Sequence, residues 1–188
     1  MSLIAPASAA ADVAAPTAEM AADDRAAQAR GLRQLYEWHW YVAVHLPSGD
    51  ESGVKARNTH AMAELHRCFN CSFPVAGAPH NFPRQGQFIP LKACVVFFCK
   101  NAPVKAWQDD GGHFHFIAQK GHFDGAGSEV HFYFWTDSHG YLRMTTRGYV
   151  THPSIPDDLN REGAYQMWHN FALKLGEHLW ERCGWTCR

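Results

Sequence analysis

Three imidazoles offer the sharpest chemistry in this chain. His113 and His115 stand two apart in a run of strand formers, so their rings share one face of a strand. His131, in the next strand-like run, can share that face, and Glu129 adds a carboxylate two residues before it. Three imidazoles with a carboxylate suit zinc or iron, which would make a metal-dependent enzyme using a surface histidine cluster. A cupin-like site would need a carboxylate soon after the histidine pair, and none lies between His115 and Gly121. The alternative is a wet, aromatic-lined outer face without a metal.

The turn from Gly121 to Glu129 is a second candidate. His122, Asp124, Glu129 and nearby His131 could form a general acid/base pair at a cavity mouth. Against this stands a plain loop, with glycines making tight turns and Asp124 capping its own backbone. The six cysteines fall in three close pairs: Cys68 and Cys71, Cys94 and Cys99, Cys183 and Cys187. The outer pairs could form a four-cysteine zinc site or two local disulfides. Cys94 and Cys99, five apart in one strand, would point to opposite faces. Without a recognisable signal peptide, the default expectation is reduced, buried thiols in a cytoplasmic protein. There is no nucleophile elbow, phosphate loop or dinucleotide fingerprint.

The elements that must position these groups are readable from pattern. Residues 1–30 form an Ala- and Pro-rich extension, flexible through about Thr17, then a short helix over Glu19–Gln34. Residues 31–188 form one domain. Glu37–His45 reads as a strand and Val54–Phe69 as a helix. Ser72–Pro90 reads as loop, with a short strand at Gln87–Ile89. Five strands follow at Lys92–Lys100, Val104–Trp107, His113–Gln119, Glu129–Thr136 and Tyr141–Val150. Their connections are too short for crossover helices, so the sheet is antiparallel. A long C-terminal helix carries Ala164, Trp168, Phe171, Leu175 and Leu179 on one stripe. Ser154 or Asp157 caps it and Gly184 stops it.

A three-residue loop, Ser138-His139-Gly140, fixes the last hairpin with Gly140 at the positive-φ position. Phe134 then faces Met144, Phe132 faces Thr146, Trp135 faces Arg143, Tyr133 faces Thr145 and His131 faces Arg147. One sheet face is therefore apolar, with Phe114, Phe116, Phe132, Phe134 and Met144. The other carries the histidines, Tyr133, Trp135, Arg143 and Arg147. The long helix must cover the apolar face. Tyr165, Trp168 and Phe171 would then look onto Phe116, Phe132, Phe134, Met144 and Thr146, across either a ligand cavity or a fully packed core.

This order of elements resembles the helix-grip fold of the START-like, pollen-allergen-like and polyketide-cyclase superfamily. The residues His115-Phe116, Gly121-His122-Phe123-Asp124, Gly127-Ser128-Glu129 and Phe132 resemble a family of unknown function with a Gly-His-Pro-Glu turn. Here Phe123, Asp124 and Ser128 depart from its pattern. The resemblance implies an α+β cup, its sheet curled around the last helix, with a cavity for a small apolar or aromatic ligand. Carrier, sensor or cyclase-like roles follow from it, and no catalytic residue does.

Composition closes other routes. The 188 residues carry 17 basic and 18 acidic side chains, with no basic field for a phosphate backbone, so nucleic acid is not an expected partner. No apolar run approaches the ~18 residues a membrane span requires. A third option is an interaction domain without a ligand, self-associating through Tyr133 and Trp135.

Overall fold

The computed structural model describes residues 16–95, 98–108 and 110–187. Helix α1 (Thr17–Ala29) leads into strand β1 (Arg33–Tyr41), and two short strands follow, β2 (Ala43–His45) and β3 (Glu51–Gly53). Helices α2 (Asn58–Arg67) and α3 (Phe69–Ser72) precede β4 (Phe88–Val95), β5 (Phe98–Gln108), β6 (His113–Ala118), β7 (Glu129–Thr136) and β8 (Leu142–Val150). Helix α4 (Asp157–Cys183) ends the chain. Six strands form one antiparallel sheet in the order β1-β8-β7-β6-β5-β4, and β2 pairs with β3 apart from it. The α+β helix-grip class expected from the sequence is the one observed. No described helix is long and apolar enough to cross a membrane.

The last hairpin has the expected register throughout. Phe134 pairs with Met144, Phe132 with Thr146 and His131 with Arg147. Asp137 N–H bonds to the Tyr141 carbonyl, and Gly140 takes φ 83°. In α4 the stripe at Trp168, Phe171, Leu175 and Leu179 is buried on the sheet, and Gly184 ends the helix at φ 66°. Pro156 occupies the N-cap position. Ser154 instead donates its hydroxyl to the Phe123 carbonyl, tying the start of α4 to the Gly121–Glu129 turn.

Three element boundaries are corrected. The helix expected over Glu19–Gln34 stops at Ala29, because Gly31 at φ 75° turns the chain and Arg33 already pairs with Val150. Val54 belongs to no helix: its N–H bonds to Val42 and its carbonyl accepts from Leu142, which holds it extended until α2 starts at Asn58. The strand expected over Lys92–Lys100 is a hairpin. Cys94 lies directly opposite Cys99 across β4 and β5, and the two are disulfide-bonded rather than on opposite faces.

The remaining cysteines are also paired locally, Cys68 with Cys71 and Cys183 with Cys187, and none is free. The four-cysteine zinc site and the reduced thiols give way to disulfides. No sulfur lone pair is left as a thiolate for a metal.

Thr146 is fully buried on the inner face, and its hydroxyl has no hydrogen-bond partner among the described residues. An orphaned buried hydroxyl costs stability that an isosteric methyl does not. Thr146→Val is therefore expected to stabilise the fold by about 1 kcal/mol, read as a higher midpoint in thermal denaturation.

Candidate functional site

The inner face is filled at one end and hollow at the other. Phe132, Phe134, Met144, Thr146 and Phe171 are essentially inaccessible. Edge-to-face contacts lock them together, with Phe132 4.9 Å from Trp168 and Phe134 6.1 Å from Phe171. The residue after α3 supplies the plug: Phe73 packs against Phe116, Trp168 and Phe171 with ring centroids 5.4, 5.9 and 5.3 Å away, in tilted and edge-to-face contacts. Beyond Phe73 the sheet and α4 separate around a cavity of about 390 Å³, within the range that holds a small organic ligand.

Its walls are Leu91, Ala102 and Val104 from β4 and β5, Phe116 and Ala118 from β6, and Gly148 and Val150 from β8. The N-terminal half of α4 closes it through Ala164, Met167 and Trp168. Leu159, 54% exposed, lies at the rim. Of the eight side chains expected to line a cavity, Phe116 and Trp168 do so. Phe132, Phe134, Met144, Thr146 and Phe171 belong to the packed core beside it. Tyr165 sits on the flank of α4, 38% exposed, against Trp38 and Trp40 of β1.

One end of the apolar cavity is polar. Tyr36, from β1, lies flat over Gly148, where any Cβ would strike its ring. Trp168 Nε1 donates to the Tyr36 oxygen at 2.9 Å, and no described residue accepts the phenol's own proton. Burial raises the Tyr36 pKa, slightly relieved by the Trp168 bond and reinforced by the nearby Asp124 charge, so the phenol stays protonated. His122 and Asp124 enter from the Gly121–Glu129 turn and also line the cavity. His122 Nδ1 accepts the Asp124 backbone N–H at 3.0 Å, which leaves the ring proton on Nε2. The imidazole thus caps this turn. The Asp124 carboxylate instead accepts from Asn160 of α4 at 2.5 Å.

Burial sets the protonation of both groups. It lowers the His122 pKa to about 4 and raises that of Asp124 to about 6, the latter against the opposing bond from Asn160. At neutral pH the imidazole is uncharged, and the carboxyl can exchange a proton near physiological pH. Glu129 and His131, grouped with them in the sequence, project to the opposite face of the sheet.

That opposite face is covered, which the sequence reading did not expect. Helix α1 lies over it, and His113 and His131 are each 3% exposed while His115 is half-buried. Tyr133 is also buried, so it offers no self-association surface. The helix docks through charge: Asp24 bonds Arg147 and Tyr149, Asp23 accepts from Tyr133, and Arg30 reaches Glu129 in a two-bond pair. Apolar burial by α1 is limited to Met20 and Ala27.

Beneath α1 the imidazoles meet. His113 Nε2 and His131 Nδ1 are 3.1 Å apart, His115 stacks on His131 at 4.5 Å, and one nitrogen from each of the three lies within 4.8 Å of the others. Glu19 Oε1 takes His113 Nδ1 at 2.8 Å and Glu129 Oε2 takes His131 Nε2 at 3.1 Å. Glu129 therefore stands behind a ring as its hydrogen-bond partner, outside the position of a fourth ligand.

A six-stranded antiparallel sheet with a long helix across it is the helix-grip fold, and solved structures of that fold are similar to this chain. A START superfamily protein from Mycobacterium smegmatis is similar in structure, with a TM-score of 0.53 at 11% identity, over 78% of this chain and 97% of that one. Major latex-like protein 151 from Panax ginseng gives 0.52 at 9% identity, over 78% and 97%. The di-domain ARO/CYC StfQ from the steffimycin biosynthetic pathway gives 0.56 at 14% identity over 87% of this chain. This chain spans 56% of that protein's length. No family model and no curated protein sequence matches the chain.

Proposed function

We propose that this chain binds one small aromatic or apolar molecule carrying a hydroxyl or carbonyl group, in the cavity between the sheet and α4. The supporting observation is the pairing of apolar walls with a single polar end, where the Tyr36 phenol can donate and Asp124 can accept or donate. Such a site takes an aromatic body by burial and orients it by one or two hydrogen bonds. The same groups serve a carrier, a sensor or a cyclase-like domain. The cyclase-like reading draws on Asp124, whose pKa of about 6 suits proton exchange with an enol or ketone. The three disulfides suit an oxidising compartment better than the cytosol, and that is where we place its work.

Calorimetric titration with 2-naphthol tests this reading. The wild-type chain is expected to bind one equivalent, and Tyr36→Phe to bind about fivefold more weakly through loss of one hydrogen bond. Equal affinity in the two would contradict the orientation by Tyr36.

A further inference from the structure

The histidine cluster under α1 presents a bookkeeping problem of protons. Glu19 and Glu129 are acceptors when ionised, so His113 donates from Nδ1 and His131 donates from Nε2. The nitrogens left over, His113 Nε2 and His131 Nδ1, then face each other as two lone pairs at 3.1 Å. At that distance they need a positive centre between them, either the second proton of an imidazolium or a metal cation. Asp23 Oδ2 points to the same spot, 3.6 Å from His131 Nδ1 and 3.8 Å from His113 Nε2. A point equidistant from three atoms separated by 3.1, 3.6 and 3.8 Å lies about 2.0 Å from each, the length of a zinc–imidazole or zinc–carboxylate bond.

We infer that His113, His131 and Asp23 form a binding site for a divalent zinc-type cation that pins α1 to the sheet, with His115 as the further imidazole beside it. The surroundings are those a metal site needs. Each ligating ring is held from behind by a carboxylate, Glu19 or Glu129, which fixes its tautomer and raises its basicity. Glu129 is itself clamped by Arg30, and the Tyr133 hydroxyl steadies Asp23 Oδ2 at 2.5 Å. Two or three imidazoles with one carboxylate favour zinc over calcium or magnesium, which prefer oxygen-only cages. Because Asp23 comes from α1 and both rings from the sheet, the cation joins two elements otherwise held by ion pairs and little apolar contact. The site lies on the opposite face from the ligand cavity, so neither proposal depends on the other.

The test is zinc titration of the tag-free, chelator-stripped full chain, followed by calorimetry and, with cobalt as substitute, by visible absorption. The expected result is one ion per chain and a tetrahedral cobalt spectrum. His131→Gln and Asp23→Asn should each weaken zinc at least tenfold. Asp23→Asn guards against misfolding, since its amide can still accept from Tyr133. Saturating zinc should also slow trypsin cleavage at Arg25 severalfold in the wild type, and not in Asp23→Asn. No binding by the stripped protein would overturn the assignment. So would zinc affinity unchanged in a folded His113→Gln/His131→Gln variant, which would put the ion on exposed histidines.

Discussion

Gly176→Ala is expected to lower the thermal midpoint by about 6–12 °C, equivalent to about 3 kcal/mol. Helix propensity alone argues the reverse, since Gly to Ala in a helix interior gains about 1 kcal/mol. The difference lies in what α4 touches. A Cβ built on Gly176 would fall inside the backbone of Ala43 in β2, overlapping its nitrogen, carbonyl carbon and oxygen. Backbone atoms cannot rotate away as a side-chain tip can. The helix would have to retreat from β2, loosening Leu175 and Leu179, which are now buried. Differential scanning calorimetry decides the sign directly, and a midpoint that rises would show that α4 does not approach β2 so closely.

Asp124→Asn should change the pH dependence of stability, with a gain at alkaline pH of about 3 kcal/mol. Asp124 titrates near pH 6 when folded and near 3.8 when unfolded. The folded state thus holds the extra proton between those values, and stability falls as pH rises from about 4 to 6. His122 acts in the opposite sense. Its folded pKa, about 4, lies below the unfolded 6.5, so the unfolded state holds the extra proton and stability rises with pH over that window. In the wild-type chain the two slopes nearly cancel. The asparagine keeps the oxygen that accepts from Asn160 and removes only the buried charge. Its stability should therefore climb between pH 4 and 6.5, exceed the wild type at pH 8, and match it near pH 4. Denaturant titrations at these pH values check each point. A flat profile in the variant would contradict the buried, uncharged state of His122.

A carboxyl buried against its own charge on a cavity wall is what the proposed ligand site rests on. Much of the scaffold that holds it was legible beforehand. Strict alternation and one three-residue turn set the β7–β8 register, and a one-residue slip would have mixed Phe134 with Arg143. The α4 stripe was equally plain. The β4–β5 reversal was hidden, because the run between Cys94 and Cys99 carries only strand formers and no turn residue. Residues 96 and 97 lie outside the described residues. Helix α1 itself was expected, over Glu19–Gln34, but its docking carries no apolar periodicity because it is made by Glu19, Asp23 and Asp24, and its cover turned a face expected to be wet into a buried one.

The cavity was placed one step away from where it lies. Phe132, Phe134 and Phe171 do share the inner face, as alternation requires, but Phe73 from the Pro- and Gly-rich segment fills the space above them. No local pattern announces such a long-range plug. Tyr36 was missed although a signal existed. Tyr36, Trp38 and Trp40 alternate along β1 and mark its inward side, which would have put a phenol beside Gly148. Of the four acid-base groups of the Gly121–Glu129 turn, His122 and Asp124 line the cavity, while the side chains of Glu129 and His131 lie across a pleat on the other face.

The central claim is that the space between sheet and α4 takes one aromatic ligand. Native mass spectrometry of the full chain titrated with 2-naphthol, beside Ala118→Phe, tests it most directly. Ala118 points into the cavity from the end of β6, and a phenyl ring there occupies the ligand's place without disturbing the packed end. The account predicts a single adduct on the wild-type chain that disappears in a folded Ala118→Phe variant. Equal adduct on both, or none on the wild type, would contradict it.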